Sequence, residues 1–536
     1  MVINMNILLI EPDYANKFPP LGLMKLSQYH KSKMDRVDFV KGKAKNATIA
    51  YDVIYITSLF TFEFKRTVET VKFYCDLYPN AEIYLGGIAA TIMSDEFIKN
   101  LPKKVKLLPG QLTSSNMLGY TDDVCIDSLV LDYDILDDID YKYPESDSYF
   151  AYFTRGCIRK CAFCAVRILE PNFKSVQGVY QNLQTARERY GEKKYLRLMD
   201  NNIMYADDFD NIMTQIGMFG YGKDSLKRIR DSQMSLAFKS LHRRISQHQD
   251  ASPAIKRISS LLSSLLSRIE HRNKPNEIES IQYLSKLIAE NKDAPLLLLN
   301  YESVYVSLFD KVIPRSYFQP VVDFNQGIDA RGINQYPERA IGLSKIRLDP
   351  CRIAYDDYEY TETYINAIKI CHEAGIESFS NYLLYNCFDS PEDLYKRMLV
   401  NINLNEELHL RSQFSFPMKY APIGEMDRMH IGPHWSKMQL DSFYIILNVT
   451  HGVVVKERDF FYKAYGENER GFQEILHMPH NMVKFRDINE KNGTIDAWKK
   501  AFSLLDKEMV TALEKAYSIG FTDYPSFLNE IIQFYK

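Results

Sequence analysis

The sequence lacks the features that mark a membrane, secreted or polyanion-binding protein. No apolar run approaches the roughly 20 residues that a transmembrane helix needs, and no basic segment precedes an apolar stretch at the N-terminus. The formal net charge of −3 gives the whole chain no electrostatic reason to bind nucleic acid. Eight cysteines in 536 residues are typical of a reducing compartment. We therefore expect a cytoplasmic protein without membrane contact, built from roughly two to four domains.

Three of the cysteines lie close together in the sequence. Cys157, Cys161 and Cys164 have C-x3-C-x2-C spacing and follow an aromatic, strand-like segment. Three thiolates can hold three irons of a cubane iron–sulfur cluster and leave the fourth iron without a protein ligand. A structural zinc site would need a ligand from a distant segment, because no other histidine or cysteine lies between Cys125 and His242. A disulfide would leave one cysteine unpaired, so the spacing favours the cluster.

This motif, with the aromatic Phe163 just before its last cysteine, resembles the signature of the radical S-adenosylmethionine (SAM) superfamily. The resemblance implies that Cys157, Cys161 and Cys164 hold a [4Fe–4S] cluster whose open iron binds the amino and carboxylate groups of SAM. It also implies that the reduced cluster cleaves SAM to methionine and a 5′-deoxyadenosyl radical, with electrons from a donor such as a flavodoxin or ferredoxin. In that family the backbone at the position of Phe163 contacts adenine.

Residues 1–135 alternate strand and helix patterns in the manner of a doubly wound α/β domain. We predict strands near 6–10, 37–40, 53–57 and 82–85, and helices over 21–33 and 68–77. The layout is similar to the Rossmann-like, cobalamin-binding domain of one class of radical SAM enzymes. The Asp-x-His-x-x-Gly segment that supplies a cobalt ligand is missing, and His30 lies in a predicted helix. Cobalamin is therefore one candidate cofactor, with a structural relic or a substrate platform as the alternative.

Residues 145–424 form a second βα series, which the resemblance implies is an open, partial (β/α)6 TIM barrel. Strand patterns lie near 149–154, 195–200, 321–324, 346–348, 379–385 and 413–418, and helical patterns near 176–190, 207–218 and 361–374. Functional residues are expected at the carboxyl ends of such strands. Residues 425–536 have mainly helical patterns and are predicted to form a C-terminal helical domain that could cap the barrel mouth.

A basic helical insertion, residues 219–300, interrupts the barrel. Between 222 and 293 the sequence has 14 lysines and arginines against 8 aspartates and glutamates. A basic surface could bind RNA, whereas a solvated helical face is the commoner explanation of such a pattern. The residues of this candidate surface are Lys227, Arg228, Arg230, Arg243, Arg244, Lys256 and Arg257.

Asp200 and Asn202 follow the second barrel strand and are the first candidates for SAM contacts. The resemblance implies an acceptor for the ammonium group of SAM at this place. Asp200 is the first choice for that role or for fixing the loop, and Asn202 is the second candidate. An Asx turn or a helix N-cap explains the same residue types equally well.

Further candidates follow the later strands. Gln326 could bind the SAM ribose, and Arg331 could bind its carboxylate as a fork donor, unless Asp329 and Arg331 only support each other. Asn381, in a later strand, is a weaker candidate for the same pocket.

These patterns predict a radical SAM enzyme that acts on a substrate the sequence does not identify. If cobalamin binds, methyl transfer is the expected outcome; otherwise isomerisation, oxidation, sulfur insertion and cross-linking stay open. One alternative is an RNA-modifying radical SAM protein that uses the basic insertion. The other is a non-catalytic iron–sulfur module that serves electron transfer or assembly.

Overall fold

The computed structural model describes residues 5–44, 49–270, 275–291 and 295–536. It confirms the predicted α/β class, because helices alternate with strands that pair mainly in parallel. Parts of the predicted N-terminal domain, 1–4 and 45–48, and of the predicted insertion, 271–274 and 292–294, lie outside the described residues. Within the described ranges, no helix combines the length and the apolar character that crossing a membrane requires.

The N-terminal part contains a five-stranded parallel sheet. Its strands are β1 (Asn6–Glu11), β2 (Arg36–Lys41), β3 (Val53–Ser58), β4 (Glu82–Gly87) and β5 (Val105–Leu108). Its helices are α1 (Leu21–Ser32), α2 (Phe64–Leu77), α3 (Ile88–Ile92) and α4 (Ser94–Asn100). The strand order is β2-β1-β3-β4-β5. Strand β5 was not predicted, since it is a short, incompletely buried edge strand with a weak apolar signal.

Helices cover both faces of this sheet. Leu9 of β1 belongs to the core that contains Tyr29 of α1, whereas the preceding Leu8 belongs to the core that contains Val71 of α2 and Phe97 of α4. Successive side chains of a strand point to opposite faces, so a strand with two covered faces is apolar throughout. This explains why residues 7–10 form an uninterrupted apolar run.

The following strands belong to residues 148–419. They are β6 (Ser148–Ala151), β7 (Thr154–Arg155), β8 (Lys174–Ser175), β9 (Tyr195–Leu198), β10 (Arg228–Ile229), β11 (Tyr317–Phe318), β12 (Val321–Phe324), β13 (Ile328–Asp329), β14 (Cys351–Ala354), β15 (Ser378–Tyr385) and β16 (Ser412–Lys419). Two parallel sheets result, with orders β12-β9-β6 and β13-β14-β15-β16. A parallel bridge between Val322 and Leu348 connects them.

One predicted strand of this series is wrong. Residues 346–348 form only isolated bridges, and the strand at this place is β14, which begins at Cys351. The helices of the same region are α5 (Val166–Leu169), α6 (Val179–Tyr190), α7 (Phe209–Ile216), α8 (Gln233–Ser246), α9 (Ser252–Glu270), α10 (Pro275–Asn291), α11 (Pro295–Leu299), α12 (Glu302–Val312), α13 (Ala330–Gln335), α14 (Arg339–Ser344), α15 (Thr361–Glu373) and α16 (Pro391–Leu408).

Helices α8 to α12 form the insertion and have a core of their own. Leu262 and Leu265 of α9 are fully buried there with Phe238 of α8 and Tyr305 of α12. The apolar spacing within α9 thus packs one face of this helix against its neighbours, as an amphipathic helix requires.

Six of the seven basic residues named as the candidate surface are paired with carboxylates elsewhere in the chain. Arg243 contacts the two carboxylate oxygens of Asp134 at 2.7 and 2.8 Å, and Arg244 contacts Asp138 at 2.6 Å. Lys227 is exposed. The other pairs are Arg228–Glu192, Arg230–Asp147, Lys256–Asp140 and Arg257–Asp137. The cations on which the RNA alternative depends are therefore largely neutralised within the chain.

The C-terminal helices share their core with the strands of the two preceding parallel sheets. They are α17 (Lys437–Val449), α18 (Arg458–Tyr465), α19 (Glu469–Leu476), α20 (His480–Lys484), α21 (Arg486–Lys491), α22 (Thr494–Phe502), α23 (Lys507–Ser518) and α24 (Asn529–Ile532). The ring centroids of Tyr385 in β15 and Phe443 in α17 are 4.9 Å apart, and those of Tyr395 in α16 and Phe472 in α19 are 5.5 Å apart. These helices pack against β15 and α16, so residues 425–536 have no separate core.

Candidate metal centre

A short antiparallel strand pair holds the loop that carries the three cysteines. Strand β7 pairs with β8, with Thr154 opposite Ser175 and Arg155 opposite Lys174. The loop 156–173 begins and ends at this pair and follows β6 directly. The cysteine motif therefore lies at the carboxyl end of a parallel strand, where α/β folds carry their sites.

Gly156 allows the chain to turn sharply before the first cysteine. Its φ of 75° lies in the left-handed region, and a Cβ atom at this position would be 2.3 Å from the carbonyl oxygen of Asn172. The N–H of Gly156 donates to Glu170 Oε2 at 2.7 Å. Arg155 Nη1 donates to Glu170 Oε1 at 2.7 Å, and Asn201 Nδ2 donates to Oε2 at 2.9 Å. One carboxylate thus fixes the base of the loop.

The three cysteines are free thiols, and each is half-buried. The N–H of Cys164 donates to the carbonyl oxygen of Cys161 at 3.1 Å, which closes the turn that contains Phe163. Burial raises the pKa of the Cys164 thiol, and the charges of Cys161 and Cys157 add to the rise. The three cysteines therefore lie on one short loop, with thiols that are partly accessible.

Donor groups surround two of the sulfurs. Asn202 Nδ2 and the backbone N–H of Arg159 each lie 3.3 Å from Cys157 Sγ. Burial lowers the pKa of the Arg331 guanidinium, but hydrogen bonds and charge from Asp329 and then from Cys161 raise it overall. The structure therefore brings Asn202 and Arg331, both predicted as site residues, to the cysteines.

Asp329 orients these donors. Its carboxylate caps α13 by accepting from the N–H of Arg331 at 3.1 Å, and it accepts from Arg331 Nε at 2.8 Å. Arg159 Nε at 3.2 Å and Asn202 Nδ2 at 3.3 Å reach the other oxygen. The mutual support of Asp329 and Arg331 is thus present, and Asn202 makes no side-chain N-cap of the turn that follows it.

Asp200 is engaged with the chain itself. Its Oδ1 accepts from the N–H and, at 2.8 Å, from the hydroxyl of Thr154 in β7, which ties the end of β9 to the cysteine loop. Its Oδ2 is buried without a hydrogen-bond partner in the described part of the chain. Burial raises the pKa of this carboxyl to about 7, against the bonds from Thr154. The loop-fixing role is therefore the one that the geometry supports.

Gln326 and Asn381 are not brought to the cysteines. Gln326 is exposed in the turn after β12. Asn381 Nδ2 donates to the hydroxyl of Tyr364 in α15 at 3.0 Å, and the same hydroxyl donates to Asn401 Oδ1 in α16. Asn381 therefore belongs to a buried polar network beneath the outer helices.

Asp356 is a site residue that the sequence analysis missed. It follows β14 by two residues, and burial raises the pKa of its carboxyl to about 6, with Arg397 and Arg331 opposing the rise. Its charge is also among the causes of the raised pKa of Cys164. The strand was predicted at 346–348, whereas the structure has it at 351–354. Asp356 was missed because it does not directly follow the predicted strand.

The three cysteines are not arranged as the ligands of one metal ion. Among the described residues, no group of three or more histidine, cysteine, aspartate or glutamate side chains is arranged to hold one metal ion. In a cubane each cysteine binds a different iron, so its sulfurs lie further apart than the ligands of one ion. Neither a scan against protein-family models nor a search of curated proteins gave a match.

The N-terminal sheet does not fit cobalamin. Open parallel sheets bind ligands where the strand order reverses, which is between β1 and β3 here. Tyr14, only 2% exposed, fills this position. Its hydroxyl accepts from the N–H of Leu59 at 3.1 Å, and its ring centroid lies 5.4 Å from that of Phe60.

Two further features of this sheet have structural roles. Gly87 has a φ of 102°, and a Cβ there would lie 2.4 Å from the carbonyl oxygen of Ser58, so this glycine serves the tight turn into α3. His30 is fully buried, with its ring nitrogens 2.8 Å from Asp35 Oδ2 and 3.2 Å from the Tyr55 hydroxyl. His30 is therefore not free to contact a cobalt cofactor.

Proposed function

We propose that this protein is a radical SAM enzyme. The observation that carries the proposal is the gathering of Cys157, Cys161 and Cys164 on one loop at the end of β6, with side-chain donors from two later strand ends. A reduced [4Fe–4S] cluster bound there would supply the electron that cleaves SAM to methionine and a 5′-deoxyadenosyl radical. The substrate is a separate small molecule or macromolecule whose identity depends on the barrel interior.

The chain's own residues would prepare this chemistry. The three cysteines supply thiolate ligands, and the N–H groups of Asn202 and Arg159 stabilise negative charge on Cys157. Arg331 does the same for Cys161. In the described part of the chain no hydrogen bond reaches the Asp356 carboxylate, which is therefore free to accept the ammonium or ribose hydroxyls of a bound SAM.

The proposed architecture follows from the strand order. The order β2-β1-β3-β4-β5 is that of doubly wound, Rossmann-like sheets. Parallel neighbours from β6 through β9 and β12 to β14, β15 and β16 suit an open, partial (β/α)6 barrel. We place the enzyme in the cytoplasm and expect a flavodoxin or ferredoxin to supply electrons, because an oxygen-sensitive cluster needs a reducing compartment.

The two alternatives have less support. An RNA-modifying role depended on free cations in the insertion, and six of the seven named residues are in ion pairs. A non-catalytic iron–sulfur module would have no use for a free carboxylate whose charge acts on a cysteine of the loop, such as that of Asp356.

The test is anaerobic reconstitution of the full chain with iron and sulfide. We expect about four irons per chain, visible absorption of the cluster, and an electron paramagnetic resonance spectrum of the reduced cluster that changes when SAM is added. Cys161→Ala should lose the cluster. Cys125→Ala, at an exposed cysteine outside the loop, is the matched control and should retain it. Wild-type protein without bound iron, or a spectrum indifferent to SAM, would refute the proposal.

A further inference from the structure

The inner face of the barrel strands is partly accessible to solvent, because Tyr382 and Phe416 are half-buried although Asp323 and Arg352 are buried. In β9, Leu196 and Leu198 are buried against the outer helices, whereas Arg197 between them is half-exposed. The same alternation places Leu383 of β15 in the core and leaves Tyr382 half-exposed. A closed parallel barrel is filled by branched apolar side chains, so half-exposed inner residues indicate an accessible lumen.

Three charged side chains, Arg197, Asp323 and Arg352, form ion pairs across neighbouring strands on this inner face. Arg197 Nη1 contacts Asp323 Oδ2 of β12 at 2.5 Å, and Arg352 of β14 contacts both oxygens of Asp323 at 3.1 and 3.3 Å. Arg197 has a second carboxylate, Glu145, at 2.8 Å. Within the described ranges, Arg352 has only the carboxylate that it shares with Arg197. Its charge is therefore the less compensated of the two, and a guanidinium with spare donors binds anions in a fork.

Aromatic rings flank Arg352. Its guanidinium carbon lies 5.2 Å from the ring centroid of Tyr382 and 5.5 Å from that of Phe416 in β16. Both rings are half-exposed, and their centroids are 6.2 Å apart. They reduce the hydration of the guanidinium, which strengthens its attraction for an anion, and they offer a flat apolar surface beside it.

Arg352 lies on a strand that pairs with Asp329, which contacts residues beside the cysteine loop. Asp329, which contacts Asn202 and Arg159, is paired with Ala354 of β14, two residues beyond Arg352. At roughly 3.3 Å per residue, the two levels are separated by about 7 Å along the strand. A molecule of ordinary metabolite size could contact Arg352 and still reach the cysteine loop.

We propose that the barrel lumen binds a small substrate that combines an anionic group, a carboxylate or a phosphate, with a flat unsaturated ring. Arg352 binds the anion, and Tyr382 and Phe416 contact the ring. The assignment of this ligand as the substrate rests on the proposed radical SAM function, whereas the binding site itself does not.

The experiment is isothermal titration calorimetry of the full chain with benzoate, phenyl phosphate, methyl phosphate and benzylamine as probes. We expect at least one aromatic anion to bind, and benzylamine not to bind. Benzoate and phenyl phosphate distinguish the two anion classes, and weaker binding of methyl phosphate than of phenyl phosphate would show the contribution of the ring. No binding by either aromatic anion, or equal binding of benzylamine, would overturn the proposal.

Variants then locate the site. Arg352→Gln should weaken binding of the aromatic anion by at least about tenfold, while Arg411→Gln, at an exposed arginine outside the lumen, should leave it unchanged. Phe416→Leu should weaken the binding of the aromatic anions and leave the binding of methyl phosphate unchanged. This variant still tests the site if Arg352→Gln does not fold. Unchanged affinity in folded Arg352→Gln or in Phe416→Leu would contradict the site. The calorimetry requires neither the cluster nor SAM. A protein that binds no aromatic anion could therefore still cleave SAM, and a protein that does not cleave SAM could still bind the anion.

Discussion

Replacement of Gly156 by alanine should prevent the cysteine loop from closing on its base. The added Cβ would lie 2.3 Å from the carbonyl oxygen of Asn172 and 2.9 Å from that of Glu170. Both obstacles are backbone atoms, so the loop must move as a whole to make room. That movement also breaks the 2.7 Å hydrogen bond from the Gly156 N–H to the Glu170 side chain.

The loss of stability caused by Gly156→Ala can be separated into two parts with a matched variant. Gly178 has nearly the same conformation, with a φ of 76°, but no atom lies within 4 Å of the Cβ that alanine would add. Gly178→Ala should therefore cost only the left-handed backbone term of about 1–2 kcal/mol. Gly156→Ala should cost about 2 kcal/mol more, because it also loses a hydrogen bond to a charged group.

Hydrogen exchange of the loop 156–173, followed by mass spectrometry, measures this difference directly. About 2 kcal/mol corresponds to roughly 30-fold faster opening of the loop, and this is the smallest ratio expected between Gly156→Ala and Gly178→Ala because Gly178 lies outside the loop. Iron bound after reconstitution should fall in the first variant and stay at the wild-type level in the second. Equal exchange rates and equal iron contents in the two variants would refute the packing that we describe at the base of the loop.

Three further predictions concern the rest of the molecule. Asp200 has a folded pKa of about 7 against an ordinary 3.8, so its protonated form stabilises the fold below pH 4 and this contribution disappears as the pH rises through 7. Asp200→Asn should therefore raise the unfolding midpoint at pH 8, by at most roughly 4 kcal/mol of unfolding free energy. A midpoint at pH 8 below that of the wild type would contradict this prediction. Arg243→Gln removes the guanidinium that binds both oxygens of the buried Asp134, and it should lower the free energy of unfolding in urea by about 3 kcal/mol. Lys227→Gln, at an exposed lysine, should have no effect. Equal effects of the two variants would show that the ion pairs do not hold the insertion in place. Hydroxocobalamin should separate from the protein on gel filtration, because Tyr14 occupies the crevice between β1 and β3; co-elution with the protein would show that this side chain moves aside.

The sequence allowed the cysteine loop and the α/β class to be predicted, since both depend on local signals. The spacing of Cys157, Cys161 and Cys164 is read directly, and buried parallel strands such as β1 and β3 are continuous apolar runs. The roles of Asn202 and Arg331 in binding SAM stay predictions. Their direction toward the sulfurs depends on Asp329, which lies more than 100 residues from Asn202.

Long-range partners explain the remaining differences. Charge counting within the insertion left a basic surface and a solvated helical face as alternatives, but Arg243 and Arg244 contact carboxylates more than 100 residues earlier in the chain. Asn381 was predicted from its place in a strand, and its direction follows from Tyr364 of a helix packed outside. The side chain of a strand residue can point to either face of the sheet. Composition alone does not predict which of the two faces the outer helices cover.

The most direct test of the central claim is the product of the reduced, reconstituted protein. Anaerobic incubation with dithionite and SAM should yield 5′-deoxyadenosine and methionine in equal amounts, measured by liquid chromatography and mass spectrometry. The same products should form with Cys125→Ala and be absent with Cys161→Ala. A wild-type protein that carries its full complement of iron and sulfide and still forms no 5′-deoxyadenosine would contradict the account.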